Sequence, residues 1–550
     1  MQVVAIYASN FRPFIRTRVK VHTQHVYGSP FSTWRIAANG LQQKWIAMKQ
    51  RTVWRYRKLQ DKNAVIVFST DQQQEKEILF SLSTKTDNDT MAFDRVLQKV
   101  SATTLNGILS ATSPEHSDQF CYNMTGFMLY GSTAEVRLRI LNVLTEERLD
   151  EITVSNRALI VHAIQSCLIS SFLTKKSKLH LRKAVIQILL GTREKDLSVL
   201  KELIHTNPDA VALMQPSNAL GSVRIQNTSL LRSPYPKLAV ERMKNWFQSL
   251  QNVTKASRER RKRRRYNVKV PTVSHYYGDL TDLIYNTPNV TEIVRVMQHI
   301  ATEAAKVTQN GTNLIKVISD IDDTLIAGWL EQRYPINTMY PGVSQLFTKI
   351  SCGLSSFDEH GPCVTFLTAR PRGWLNVGRY LTVQHLNNLG LPSPTVMSGT
   401  VQGLVSNKKI AMHKFENFKR FATIFPEYKF VFFGDSGQGD ALAASLMLEQ
   451  YSDQVIATFI HDINPRQSKT GDGQLKKTYQ ECGIVFYQTY VAAALDAYNK
   501  QLISIDELKS IAVKAMDEFA LLDFAKLSDE KELRRRELVD DIRLVEELIV

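Results

Sequence analysis

The chain reads as an α/β protein whose core is a doubly wound, Rossmann-like parallel sheet. Short β-branched and apolar runs recur at Leu314–Ser319, Cys363–Thr368 and Lys429–Gly434. They lack polar alternation, as strands covered on both faces do. Each run delivers polar side chains at its C-terminal end, where open parallel sheets present their chemistry. Between the second and third runs the chain also has room for a helix near Trp374–Leu389 and a strand at Thr395–Met397.

The first run ends in Asp320-Ile321-Asp322-Asp323-Thr324. Of two carboxylates two residues apart, one can attack phosphorus while the other handles the leaving-group proton. That makes the chain a candidate aspartyl-phosphate phosphatase. Taken alone, the motif reads equally as an Asp-rich turn capping the next helix. The second run ends at Thr368, before Ala369-Arg370-Pro371. A strand-end hydroxyl can bond a phosphoryl oxygen, and Arg370 adds a fork of donors. An ordinary strand before a Pro-marked loop explains the same residues.

Lys414 is expected to begin a helix that keeps Phe415, Phe418 and Phe421 inward. It can offset charge on a phosphoryl group and on a nucleophilic Asp. Lys408 and Lys409 are close rivals, and a solvated surface lysine is the plain alternative. The third run leads into a glycine-rich turn with Asp435 and Asp440 five residues apart. Glycines let backbone bend sharply beside a ligand, and two converging carboxylates suit Mg²⁺.

The order of these four elements resembles the haloacid dehalogenase superfamily of phosphatases. The match extends to longer stretches: SDIDDT (Ser319–Thr324), YPGV (Tyr340–Val343), FLTARPRGW (Phe366–Trp374), HKFENFKRF (His413–Phe421) and FPEYKFVFFGDSGQGD (Phe425–Asp440). Over roughly residues 312–500 the chain resembles the catalytic domain of the actin-patch-associated phosphatidate phosphatases. The resemblance implies a haloacid dehalogenase-type fold and Mg²⁺-dependent hydrolysis of phosphatidate to diacylglycerol and phosphate. It implies Asp320 as nucleophile and metal ligand, and Asp322 as acid/base that also touches the metal through its carbonyl. Thr368 and Lys414 are implied to hold phosphoryl oxygens, and Asp435 and Asp440 to complete the metal site. Arg370 and Ser436 are candidate substrate contacts. Asp323 matches the pattern without a chemical role and is expected to cap the following helix. Where many relatives are expected to carry Arg-Asp after a late strand, this chain has His461-Asp462. A phosphate or headgroup role there is therefore in doubt, and His461 reads as a strand-end polar residue.

Fewer than forty residues separate Thr324 from Cys363, and 45 separate Thr368 from Lys414. Neither interval holds a large independent cap domain. A thinly capped site cannot enclose a small metabolite, but it can receive a phosphomonoester projecting from a membrane or a polymer. Other lipid phosphates, nucleic-acid ends and phosphoproteins share that property. A membrane-binding scaffold with a dead phosphatase domain is the reading outside catalysis.

At 550 residues, 43% hydrophobic and 22% charged, the chain is long and apolar enough for several globular domains, which excludes a disordered chain. Its five cysteines lack metal-ligand spacing and are expected to be reduced thiols. The start lacks a basic leader region, and the apolar stretch Ala158–Leu173 is short enough to be a buried helix. The expected location is cytoplasmic and peripheral to a membrane. The net charge of +16 points to anionic partners, namely acidic lipid surfaces, nucleic acid or acidic proteins. For the lipid phosphatase that the resemblance implies, an anionic membrane surface is the expected partner and nucleic acid is not. The run Arg258–Arg265 is expected in an exposed linker, where it can hold an anionic leaflet, direct nuclear import or stay solvated.

Five segments are expected. Residues 1–150 form a mixed α/β or β-rich module, with β-like runs at Ala64–Phe68 and Gly126–Tyr130 and aromatic segments around Trp34, Trp45 and Trp54. Residues 151–253 are helical, including Lys237–Leu250, with a Pro-rich loop. Residues 254–280 are a basic linker, 281–500 the catalytic domain and 501–550 C-terminal helices. A helix with an Asn cap is expected from Asn289. The last helix, from Ser528, carries Leu533, Leu538, Ile542, Val545 and Leu548, which suit docking to its own core or to a protein partner.

Overall fold

Apolar runs without polar alternation suit strands covered on both faces, and six strands form one sheet among the described residues. The computed structural model describes residues 93–110, 134–169, 174–205, 280–309, 314–353 without 329, 364–371, 395–399, 406–463 without 438, and 472–548 without 525 and 526. It also describes the single positions 129, 311, 382, 385, 386, 389 and 391. The expectations for Trp34, Trp45, Trp54, Ala64–Phe68, Lys237–Leu250 and the basic run 258–265 lie outside these residues.

Among the described residues, the sheet comprises β1 (Ile315–Ser319), β2 (Thr365–Pro371), β3 (Thr395–Gly399), β4 (Lys429–Asp435), β5 (Val455–His461) and β6 (Val485–Tyr487). All pairs are parallel, in the order β3-β2-β1-β4-β5-β6. The chain winds outward on one side of β1 and then returns to start β4 on the other. Such a reversal opens a crevice beyond the C-terminal ends of the two central strands. Ser319 is in register with Phe433, and the Asp320 amide donates to the Phe433 carbonyl at 2.9 Å. The acidic ends of β1 and β4 therefore emerge side by side.

By contact density the chain separates into two units: residues 1–140 with 217–272, and residues 141–216 with 273–550. The described part of the first unit contains α1 (Phe93–Lys99), α2 (Ala102–Ser110) and the start of α3 (Ala134–Asn142). Leu129, the described member of the Gly126–Tyr130 run, is also helical.

The second unit continues with α4 (Val154–Ile169), α5 (Lys175–Leu190), α6 (Glu194–His205), α7 (Leu280–Tyr285) and α8 (Val290–Gln309). Around the sheet lie α9 (Val343–Ile350), α10 (Asn407–Ile424), α11 (Asp440–Gln450), α12 (Asp472–Glu481), α13 (Tyr490–Asn499), α14 (Ile505–Ala520) and α15 (Ser528–Glu547). Asn289 opens α8 as expected, its side chain accepting from the Thr291 amide at 3.0 Å. No helix among the described residues is long and apolar enough to cross a membrane.

β4 shows why its run is continuously apolar. Alternate residues of a strand face opposite sides. Phe430 meets Phe418 and Phe421 of α10, with ring centroids 5.5 and 6.1 Å away. Phe433, on the other side, meets Phe347 of α9 at 4.7 Å and Phe459 of β5 at 4.9 Å. Helices therefore cover both faces. Leu538 and Val545 of α15 are buried in the second of these cores, so the last helix docks on its own domain. Leu548, at its end, is 50% exposed.

The helices before β1 join the sheet near the N-terminal ends of β3 and β4. Lys201 of α6 donates to the Ile424 carbonyl at 2.9 Å and pairs with Glu427 at 2.7 Å, both side chains buried. His205 meets the hydroxyl of Thr395, the first residue of β3, at 2.7 Å. Within the helices, His162 of α4 reaches the Leu203 carbonyl of α6 at 3.0 Å. Burial pushes the pKa of His162 down to about 4, against the effect of this bond.

Two stability tests follow. The unfolded chain protonates His162 near its ordinary value of 6.5, so its neutral, buried form stabilises the fold fully above that pH. That contribution, about 3 kcal/mol at most, is lost as pH falls from 6.5 toward about 4. Urea unfolding across this window is expected to show a shallower pH slope for His162→Gln than for the wild type. Equal slopes exclude the assignment. Lys201→Met strands a buried Glu427 carboxylate and is expected to cost about 3–5 kcal/mol. Adding Glu427→Leu is expected to restore most of that loss in the same unfolding measurement. A double variant no more stable than the single one refutes the pairing account.

Candidate active site

The crevice between β1 and β4 is built from carboxylates that the two strands cannot avoid bringing together. Asp320 follows β1, Asp435 ends β4, and Asp440 begins α11 after a tight turn. Gly439 takes a left-handed φ of 84°, and a Cβ there would collide with the Asn407 carbonyl. Gly434 is equally constrained, since a Cβ would collide with the Asp440 side chain. These two glycines let the turn fold back. Asp440 Oδ2 then accepts from the Asp435 amide at 3.2 Å, and Asp435 Oδ1 from the Gly437 amide at 2.6 Å. One carboxylate oxygen from each of Asp320, Asp435 and Asp440 lies within 4.8 Å of the others, and all three residues are buried.

Lys414 supplies the one ammonium group bonded into this cluster among the described residues. Its Nζ lies 3.0 Å from Asp320 Oδ2 and also donates to Asp440 Oδ1. Its position in the helix differs from expectation. It does not begin the helix: α10 starts at Asn407, capped by the Ser406 side chain, and Lys414 sits in its interior. The inward face of Ile410, Ala411, Phe415 and Phe418 carries the lysine to the site. Of the rival lysines, Lys408 and Lys409 are exposed.

Three carboxylates facing one lysine leave an excess of buried negative charge. Burial pushes the Asp320 carboxyl up to about 7 despite Lys414, with the Asp440 and Asp322 charges adding to the rise. Asp435 is held well above the usual carboxylate range by burial and then by Asp440. Lys414 is displaced upward, because the charges of Asp320, Asp440 and Asp435 outweigh its burial. Asp320 Oδ1 is buried and has no hydrogen-bond partner among the described residues. An all-oxygen donor set with surplus charge fits a hard divalent cation. Asp320, Asp435 and Asp440 are the residues that can hold it.

The remaining candidates form a shallower group. The Asp322 carboxylate lies outside the triad, gripped by Arg370 through Nε at 2.7 Å and a second guanidinium nitrogen at 2.5 Å. These side chains are 20% and 25% exposed. Thr368 is buried within β2, which runs on past it to Pro371 instead of ending there as expected, and its hydroxyl accepts from the Arg370 amide at 3.1 Å. Ser436 is exposed, but its hydroxyl accepts from the Ile463 amide at 3.2 Å, closing the turn toward β5.

Asp323 differs from expectation, since no helix follows it directly and it caps none. Its φ of 61° is left-handed, which Asp tolerates better than most residues. Its carboxylate gathers the amides of Gly328, Leu330 and Glu331 at 2.7, 3.3 and 3.1 Å. His461 stands between the carbonyls of Asp323 at 2.8 Å and Gln488 at 3.2 Å. It is a buried strand-end residue that braces this loop. Tyr490 completes the brace, donating to the Thr324 carbonyl. Neither the loop clamp of Asp323 nor the Tyr490 bond has a sequence signal, because both partners are distant or main-chain groups.

If the triad holds a cation, millimolar divalent metal is expected to raise the unfolding temperature of the wild-type protein above its value in EDTA. Asp435→Asn is expected to lose that increment. An equal increment in both proteins excludes the triad as the binding site.

No curated protein and no solved structure matches the chain. A family model does match part of it, from the first residue of β1 to the residue after β5, a segment that contains every candidate side chain above. Residues 315–462 are similar to the family described as phosphatidate phosphatase APP1, catalytic domain.

Proposed function

We propose that the chain is a Mg²⁺-dependent phosphatidate phosphatase of the haloacid dehalogenase type, working through an aspartyl-phosphate. The observation that carries this reading is the placement of Asp320 against Lys414, with Asp435 and Asp440 beside it, at the reversal point of the sheet. Asp320 attacks the phosphorus, and the bond to the diacylglycerol oxygen breaks. Asp322 protonates that oxygen, then takes a proton from the water that cleaves the acyl phosphate. Lys414 and Thr368 hold phosphoryl oxygens, while Arg370 orients Asp322 and borders the entering substrate. Ser436 lies at the same entrance. Asp320, Asp435 and Asp440, with the Asp322 carbonyl, would hold Mg²⁺, which would supply positive charge where an anionic nucleophile meets an anionic substrate.

The burial gradient supports a substrate presented by a surface. Asp320, Lys414 and Asp435 are buried, whereas Asp322, Arg370 and Ser436 reach solvent. A phosphate projecting from a bilayer can enter such a funnel while its acyl chains stay in lipid. This reading makes the protein a peripheral one on an anionic membrane surface.

The deciding assay is phosphate release from phosphatidate in mixed micelles, with Mg²⁺ or EDTA, for wild type and Asp320→Asn. Release is expected only for the wild type with Mg²⁺. Asp320-dependent release from a soluble aryl phosphate but none from phosphatidate discards the substrate and keeps the chemistry. Lys414→Ala is expected to lower turnover of the aryl phosphate about 100-fold, the usual scale for a group that stabilises transition-state charge. Lys409→Ala is expected to leave that turnover unchanged, and the opposite order reverses the assignment of the lysine.

A further inference from the structure

The turn that carries Asp435 joins two exposed groups. On one side is Leu330, whose loop is anchored by Asp323 through the Leu330 and Glu331 amides. Leu330 is nevertheless 41% exposed, and its Cδ1 would lie 2.6 Å from a Cβ built on Gly437. On the other side, Asn407 donates to the Gly437 carbonyl at 3.1 Å, which fixes the start of α10 against the same turn. The next two residues, Lys408 and Lys409, are exposed, and Met412, one helical turn beyond Lys408, is 41% exposed. Gly437 itself donates to Asp435, so both groups adjoin the turn that holds part of the buried triad.

We propose that Leu330, Met412, Lys408 and Lys409 form a rim that seats the entrance to the triad on an anionic phospholipid bilayer, a reading that rests on the phosphatidate function above. Apolar side chains held out in water beside paired lysines match an anionic interface. The apolar groups enter the acyl boundary and the ammonium groups meet the headgroups. The buried nucleophile makes this seating necessary, because a headgroup phosphate reaches Asp320 only if the mouth lies close against the lipid. Leu330 and Met412 have no counterpart on duplex nucleic acid, whose outer surface is phosphate.

The test uses the full chain with the basic residues of the 258–265 run changed to Gln, so that this run contributes no membrane attraction. Sedimentation with phosphatidylcholine vesicles, with and without phosphatidylserine, is compared for this protein and for the same protein carrying L330D, K408E and K409E. The rim variant is expected to bind anionic vesicles at least about tenfold more weakly. Its hydrolysis of vesicle-borne phosphatidate is expected to fall in proportion, while hydrolysis of a soluble aryl phosphate stays unchanged. The milder K408Q/K409Q pair is expected to show a smaller loss of the same kind. Unchanged vesicle binding overturns the proposal, as does an equal fall with the aryl phosphate. Rim-dependent binding to duplex DNA as tight as to vesicles also overturns it. Rim-dependent vesicle binding without phosphatidate hydrolysis leaves the rim standing and removes the proposed substrate. Phosphatidate hydrolysis indifferent to the rim does the reverse.

Discussion

Surplus negative charge in a water-poor crevice governs the design of this domain. Asp320, Asp435, Asp440 and Lys414 are each 2% exposed or less, and three carboxylates share one ammonium. Uncompensated charge in such a place costs several kcal/mol, so it persists only where rigid elements impose it. Adjacent parallel strands supply two of the carboxylates, and glycines at 434 and 439 fold the third back onto them. A long amphipathic helix then brings the lysine through the apolar layer. Protons are one way to lower the charge, as the raised Asp320 carboxyl shows, and a hard cation is the other.

Outside this buried group, fixed geometry rests on main-chain carbonyls and amides. Asp323 collects amides of the loop after β1, His461 and Tyr490 hold the carbonyls of Asp323 and Thr324, and Arg333 reaches the Asp462 carbonyl at 3.1 Å. Asp322 and Arg370 sit at the open side of this framework. The Asp322 carboxylate is thus partly solvated, while that of Asp320 is buried.

Buried lysines occur twice in the domain with different consequences. Lys201 faces Glu427 directly and also donates to a carbonyl, which balances the charge and fastens the helices of residues 154–205 to the sheet. Lys414 faces more carboxylates than it can neutralise. Charge that balances gives cohesion, and charge in excess leaves a donor set that fits a hard cation.

Much of the fold was legible along the chain. Uninterrupted apolar runs identified β1, β2 and β4, because doubly covered strands need no polar face, and the acids and glycines after them marked where chemistry emerges. The phenylalanines of 415–421 announced the buried side of α10, although its start at Asn407 was not visible without the Ser406 cap. Other features came only from the folded chain. The grip of Arg370 on Asp322, the pairing of Lys201 with Glu427 and the bracing role of His461 join residues far apart in sequence. Asp323 passed for a helix cap because local pattern cannot show which amides a side chain will find. The sequence by itself determined which residues could do phosphoryl chemistry and the strands that carry them, since period and composition act locally. Tertiary structure decided which charges are balanced and which are left in surplus, because that depends on the distances and burial that packing alone creates.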